Sequence, residues 1–185
     1  MLNNLKSIFI LKTIINNLSK RKYLSLIINN KNLQNKLNIT IDTYIKYSNQ
    51  IEVEIIPDKN KIQIDDNSNK FINIIEKNDE PFYHMYFNWG KEEIKRDYIK
   101  HNENITKINI LIELEVKSIL FLFYKSLCIK EIKFIKFNRT DFTDYQHVFY
   151  SCINLINLDI SKLKTDKVTI MTNMFDSCFS LKHLD

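Results

Sequence analysis

Phe149-Tyr150-Ser151-Cys152-Ile153-Asn154-Leu155-Ile156-Asn157-Leu158-Asp159-Ile160 is respelled as Phe175-Asp176-Ser177-Cys178-Phe179-Ser180-Leu181-Lys182-His183-Leu184-Asp185, and the offset between the two is 26 residues. The same offset works one unit earlier. Phe123, Ser126, Ile129, Ile132, Phe134, Phe137, Phe142, Tyr145 and Val148 precede Phe149, Cys152, Leu155, Leu158, Ile160, Leu163, Val168, Met171 and Met174 by 26. A constant interval of this size marks a solenoid, in which like residues of successive turns stack.

Each unit reads as a strand followed by a return segment. In the strand, Leu158 and Ile160 alternate with Asn157, Asp159 and Ser161, and Ile132 and Phe134 alternate with Glu131, Lys133 and Ile135. A looser copy sets Ile108 and Ile110 against Lys107 and Asn109. Alternation puts the apolar set inside and the polar set outside. The return segment carries Met171, Met174, Phe175 and Cys178 at i, i+3, i+4 and i+7, copied at Tyr145, Val148, Phe149 and Cys152 and at Ile119, Leu122, Phe123 and Ser126. That spacing predicts short amphipathic helices.

Met174-Phe175-Asp176-Ser177-Cys178-Phe179-Ser180-Leu181, with Leu158-Asp159-Ile160-Ser161-Lys162-Leu163-Lys164-Thr165-Asp166-Lys167-Val168-Thr169-Ile170-Met171 before it, resembles the turns of BspA-like leucine-rich repeat proteins. The resemblance is specific over 149–185 and looser back to 104; residues 130–148 depart from it, with Arg139 where the family has Thr and Phe142 for Val. It implies an α/β leucine-rich-repeat solenoid, a parallel strand ladder with short helices, over 104–185. Binding would fall on the strand face, in a role of adhesion or protein–protein contact. The expected contact residues are Lys107, Asn109, Glu131, Lys133, Ile135, Asn157, Asp159, Ser161 and His183. No closing turn follows Leu184-Asp185, and solenoids need polar caps. A fragment, or end-to-end pairing of the uncapped C-terminal strand with another chain, is therefore expected.

Upstream, residues 1–40 read as a helical segment, with apolar residues at helical spacing from Leu5 to Leu18, a second run through Tyr23, Leu24, Leu26 and Ile27, and a third carrying Leu33 and Leu37. Ile14-Ile15-x-x-Leu18-Ser19, Leu24-x-Leu26-Ile27 and Asn30-Lys31-x-Leu33 resemble the helical core of an F-box, although its Leu-Pro opening and its tryptophan are absent. That likeness implies an alternative, a substrate receptor recruiting a ubiquitin ligase through residues 1–40. Residues 41–103 read as a small β-rich region. Strands are expected at Ile51–Ile55, Lys61–Asp65, Phe71–Ile75 and Phe82–Trp89, with Gly90 ending the last of them and a short helix over Lys91–Lys100.

Composition bounds the rest. Apolar content of 44% and charge of 26% are those of a globular chain. The net charge of +5 is concentrated before Ile41, where seven basic residues meet no acid. With a single glycine, phosphate-cradling loops and nucleophile elbows cannot be written. The four histidines show no ligand spacing, so neither metal nor cofactor is expected. Cys152 lies five residues from His147, but reads as a core thiol beside a surface imidazole, and no catalytic constellation emerges. Lys130, Lys133 and Lys136 interleave with Phe134 and Phe137, but both phenylalanines take core positions of the repeat, so no nucleic-acid partner is expected. Cys128, Cys152 and Cys178 form no CxxC pair. Cys152 and Cys178 share a repeat position, which admits a disulfide between adjacent turns, and free thiols packed as small apolar wedges are favoured. No apolar run approaches the ~20 residues of a membrane span. A non-enzymatic interaction module is expected, cytoplasmic by default, with the cell surface as the setting implied by the family resemblance.

Overall fold

A computed structural model describes residues 30–37, 41–88 and 90–185. The first two helical runs expected from the sequence, and most of the F-box-like pattern, lie outside the described residues. The chain divides into two compact units, Met1–Ser48 and Asn49–Asp185. In the first, α1 (Lys31–Leu37) is capped by Asn30, whose Oδ1 accepts from the Leu33 amide at 3.1 Å, and α2 spans Ile41–Ser48.

The second unit is organised by one six-stranded sheet: β1 (Ile51–Pro57), β2 (Tyr83–Phe87), β3 (Ile108–Ile112), β4 (Ile129–Lys136), β5 (Asn157–Asp159) and β6 (His183–Leu184), in the order β2-β3-β1-β4-β5-β6. The pairs β2–β3, β3–β1 and β1–β4 are antiparallel; only β4–β5 and β5–β6 are parallel.

This overturns the expectation of a leucine-rich-repeat solenoid built on a parallel ladder. The sheet is mixed, and the short helices are few. Ile108 and Ile110, read as the first rung, belong to β3, which pairs with β1 and β2 in the opposite sense. The cause lies in β1, whose alternating Ile51-Glu52-Val53-Glu54-Ile55 buries one side completely and inserts between β3 and β4. Its partners lie more than 50 residues away in sequence, so no repeat offset could point to them.

The return segments differ from expectation too. Over 119–126, 145–152 and 171–178 the backbone forms consecutive four-residue turns, not helix. Leu122, Tyr124 and Ser126 donate to the carbonyls three residues back, and the next two coils repeat this. Two residues per coil sit in the left-handed region: Phe121 and Lys125, His147 and Ser151, Asn173 and Ser177, with φ between 53° and 61°. Each such residue stops helix propagation. The buried side chains are nonetheless the ones the helical spacing selected, because a turn ribbon and a helix can bury the same i, i+3, i+4, i+7 set.

The core lies between the inner face of the sheet and these ribbons. Phe134 of β4 meets Phe123 and Phe149 edge-on, with ring centroids 6.4 Å apart in both cases. Arg139 and Phe142, the departures from the family spelling, form a matched pair. The Arg139 guanidinium lies 4.2 Å from the Phe142 ring and donates to both Asp141 carboxylate oxygens at 2.9 and 2.6 Å. That contact holds the Asp141 carboxyl below its ordinary range.

Other expected elements are absent. Lys61–Asp65 forms no strand, and its Ile64 is 87% exposed. Phe71 and Ile72 are buried, but outside any strand. Lys91–Lys100 is irregular, with Ile94 bridged to Met85 on the β2 edge. Gly90 closes the turn after β2, its amide donating to Phe87 O at 2.8 Å; an added Cβ would lie 2.9 Å from that oxygen.

Candidate interaction face

Alternation along six neighbouring strands sends one set of side chains inward and leaves the other as a continuous outward face. Register fixes its rows. Tyr86, Asn109, Glu54, Lys133 and Asp159 are successive partners across five strands. Ile56, Glu131, Asn157 and His183 form a second row, and His84, Leu111 and Glu52 a third.

All nine residues singled out from the sequence lie on or beside this face. Glu131, Lys133 and Ile135 are on β4, Asn157 and Asp159 on β5, and His183 on β6, with Ser161 just past β5. Lys107 and Asn109 are at β3, separated from the other seven by β1. Lys133 Nζ lies 2.7 Å from Asp159 Oδ2, and Lys107 Nζ 2.9 Å from Glu54 Oε1. Asp159 also accepts from the Ser161 hydroxyl at 2.7 Å and its amide at 3.1 Å. The Lys133 ammonium first, and the Ser161 hydroxyl second, pull the Asp159 carboxyl down to about 2. Asn109 Oδ1 is buried without a hydrogen-bond partner.

The contributions of β1 and β2 were missed, although the alternation of Glu52 and Glu54 in Ile51–Ile55 was a usable signal. At the β2 margin, His84 lies between two carboxylates, Nδ1 2.8 Å from Glu93 Oε1 and Nε2 3.1 Å from Glu113 Oε1. Lys95 adds a 2.6 Å contact to Glu93. The two ring nitrogens point apart, so these groups do not converge on one point, and no cluster able to hold a metal occurs among the described residues. Both ring nitrogens are engaged by carboxylates.

Elsewhere the chemistry is structural. Cys152 is fully buried with its thiol on Phe123 O at 2.9 Å, while His147 stacks on Phe121 with centroids 4.9 Å apart. All three cysteines are free thiols, and burial raises each; that of Cys128 is pushed up to about 12. A cleft of about 420 Å³ opens beside Tyr83 and Met85, but the cations lining it are engaged, Arg96 by Glu103 at 2.6 Å and Lys95 by Glu93. Among the described residues no helix is long and apolar enough to cross a membrane.

No family model, curated protein or solved structure matches this chain.

Proposed function

We propose that the chain is a non-enzymatic protein-interaction module that contacts its partner through the outward face of the sheet. The observation that carries this reading is the row from Tyr86 to Asp159, an ordered line of polar and charged side chains crossing five strands. Its ion pairs hold Lys133 and Lys107 in place, so their ordering is already met before binding. Leu111, Ile56 and Ile135 interrupt the charge with partly exposed apolar surface, the mixture of non-obligate interfaces. The likeness of residues 149–185 to BspA-like repeats supports the same role for the coils alone.

The test places a photo-crosslinking residue at Ile135 or Asn157, and at Tyr124 on the ribbon side as control. One adduct species should form from the sheet positions, be absent from Tyr124, and disappear when Leu111 is changed to Glu in the same chain. Equal labelling from both sides would sink the reading.

A further inference from the structure

The segment that follows β2 folds back along the edge of that strand and is held there at two neighbouring points. One is backbone: the Ile94 amide donates to Met85 O at 2.7 Å. The other is the His84 ring, which joins two separate parts of the chain. Its Nδ1 lies 2.8 Å from Glu93 Oε1, one residue before Ile94, and its Nε2 lies 3.1 Å from Glu113 Oε1, one residue past β3. Ionised carboxylate oxygens only accept, so the ring can hold both contacts only with a proton on each nitrogen. With one proton it turns a lone pair on one of the two oxygens, acceptor against acceptor.

The other titratable and charged groups facing the ring come from each element around it. Lys95 lies 2.6 Å from Glu93. Burial acts to raise the Glu93 carboxyl, but the hydrogen bonds of Lys95 and then His84 hold it below its ordinary range. Tyr86, two residues along β2, has its hydroxyl raised by burial first and by Glu93 second, so it stays neutral beside the ring. Arg139 reaches the Glu113 carbonyl at 3.3 Å, and Glu52 lies across Leu111 in the row of His84.

Glu93 is the contact placed to give way. Its side chain is 29% exposed against 13% for Glu113, and Lys95 remains as its counter-charge when His84 does not. Glu113 is fixed by its backbone, whose amide donates to Phe82 O at 3.0 Å and whose carbonyl accepts from Arg139.

We infer that His84 is a pH-dependent latch: as an imidazolium it pins the segment at Glu93 and Ile94 to the edge of β2, and on losing one ring proton it keeps Glu113 and releases Glu93. The latch is closed in acid and opens as pH rises through the histidine range. Opening loosens the bond from Ile94 to Met85, and with it the wall that Lys95, Arg96 and Asp97 give to the cleft beside Tyr83 and Met85. It acts on the edge of β2 and does not depend on whether the outward face of the sheet binds a protein.

The test is amide hydrogen exchange in the full-length ¹⁵N-labelled chain, expressed at each pH as protection relative to the unstructured rate. From about pH 5 to about pH 8, protection of the Ile94 amide should fall by about threefold or more, as expected for a partly exposed ion pair. Protection of the Phe123 amide, bonded to Val148 O at 2.8 Å, should not change. His84→Gln and Glu93→Gln should each make the Ile94 profile flat. Equal wild-type protection at the two pH values overturns the inference. So does the same fall in either variant, which would put the titrating group elsewhere, or the same fall at Phe123, which would make the effect one of global stability.

Discussion

The ring of Phe149 lies over that of Phe123 with centroids 5.6 Å apart and planes within 9° of parallel. On its other side Phe175 repeats the contact at 5.7 Å and 3°. Three residues spaced by one interval thus form a single stack, and Phe149 is its fully buried middle. Removing that ring takes contacts from both neighbours and from Phe134. Phe149→Ala should lower unfolding free energy by about 3–5 kcal/mol in urea titration. Phe175→Ala should cost less, because Phe175 is only half-buried. Equal losses would argue against an ordered stack.

Ser126 occupies the repeat position of Cys152 and Cys178, but not their bond. Cys152 reaches Phe123 O, and Cys178 reaches Phe149 O at 3.0 Å, each one coil back. Ser126 belongs to the first coil, and its buried hydroxyl has no partner. A buried, unsatisfied hydroxyl is a standing cost. Ser126→Ala should therefore stabilise the unit by about 1 kcal/mol in urea or thermal unfolding. A destabilised variant would show that the hydroxyl is hydrogen-bonded in solution.

Ser151 has φ 56°, a conformation that costs a residue with a Cβ about 1 kcal/mol or more and glycine almost nothing. Part of the gain from glycine is returned as unfolded-chain entropy. Ser151→Gly should still raise the melting temperature by about 1–3 °C, given the sensitivity of a unit this size. The same change at Ser180, which is not among the positive-φ residues, should lower it. If both variants move together, the left-handed corner is not the cause.

How legible all this was in the sequence depends on distance along the chain. The stacking of Phe123, Phe149 and Phe175 was carried by a constant offset, and the outward side chains of β4 and β5 by simple alternation. The partners of β1 were not, because Val53 meets Ile110 and Phe134 across separations that no local period encodes. Return segments were misread for a different reason. The burial set of Tyr145, Val148, Phe149 and Cys152 is common to a helix and to a ribbon of turns, and the left-handed corners fall on Phe121, His147 and Ser151, where glycine would have announced them. Asn73 carried no sequence signal at all: its backbone amide donates to Leu122 O at 2.8 Å and its side-chain amide to Tyr124 O at 2.6 Å, which depends on where the loop before β2 comes to rest.

Lys133 and Asp159 give the interaction face a dependence on pH with a defined sign. Asp159 has its carboxyl drawn down to about 2 from an ordinary value near 4. It therefore contributes stability above the unfolded value, and that contribution is lost as pH falls through the folded one. Lys133 is shifted the opposite way, raised first by its hydrogen bond to Asp159, with Glu54 and Asp185 also facing it. Its share is complete below the ordinary lysine range and is lost as pH rises through the raised value. Between these limits wild type should exceed Lys133→Met in urea midpoint. The gap should narrow from about pH 4 down to pH 2, and again above about pH 10.5. A gap that stays constant from pH 5 to pH 2 would mean that Lys133 acts through the packing of its aliphatic stem and that the ion pair contributes nothing.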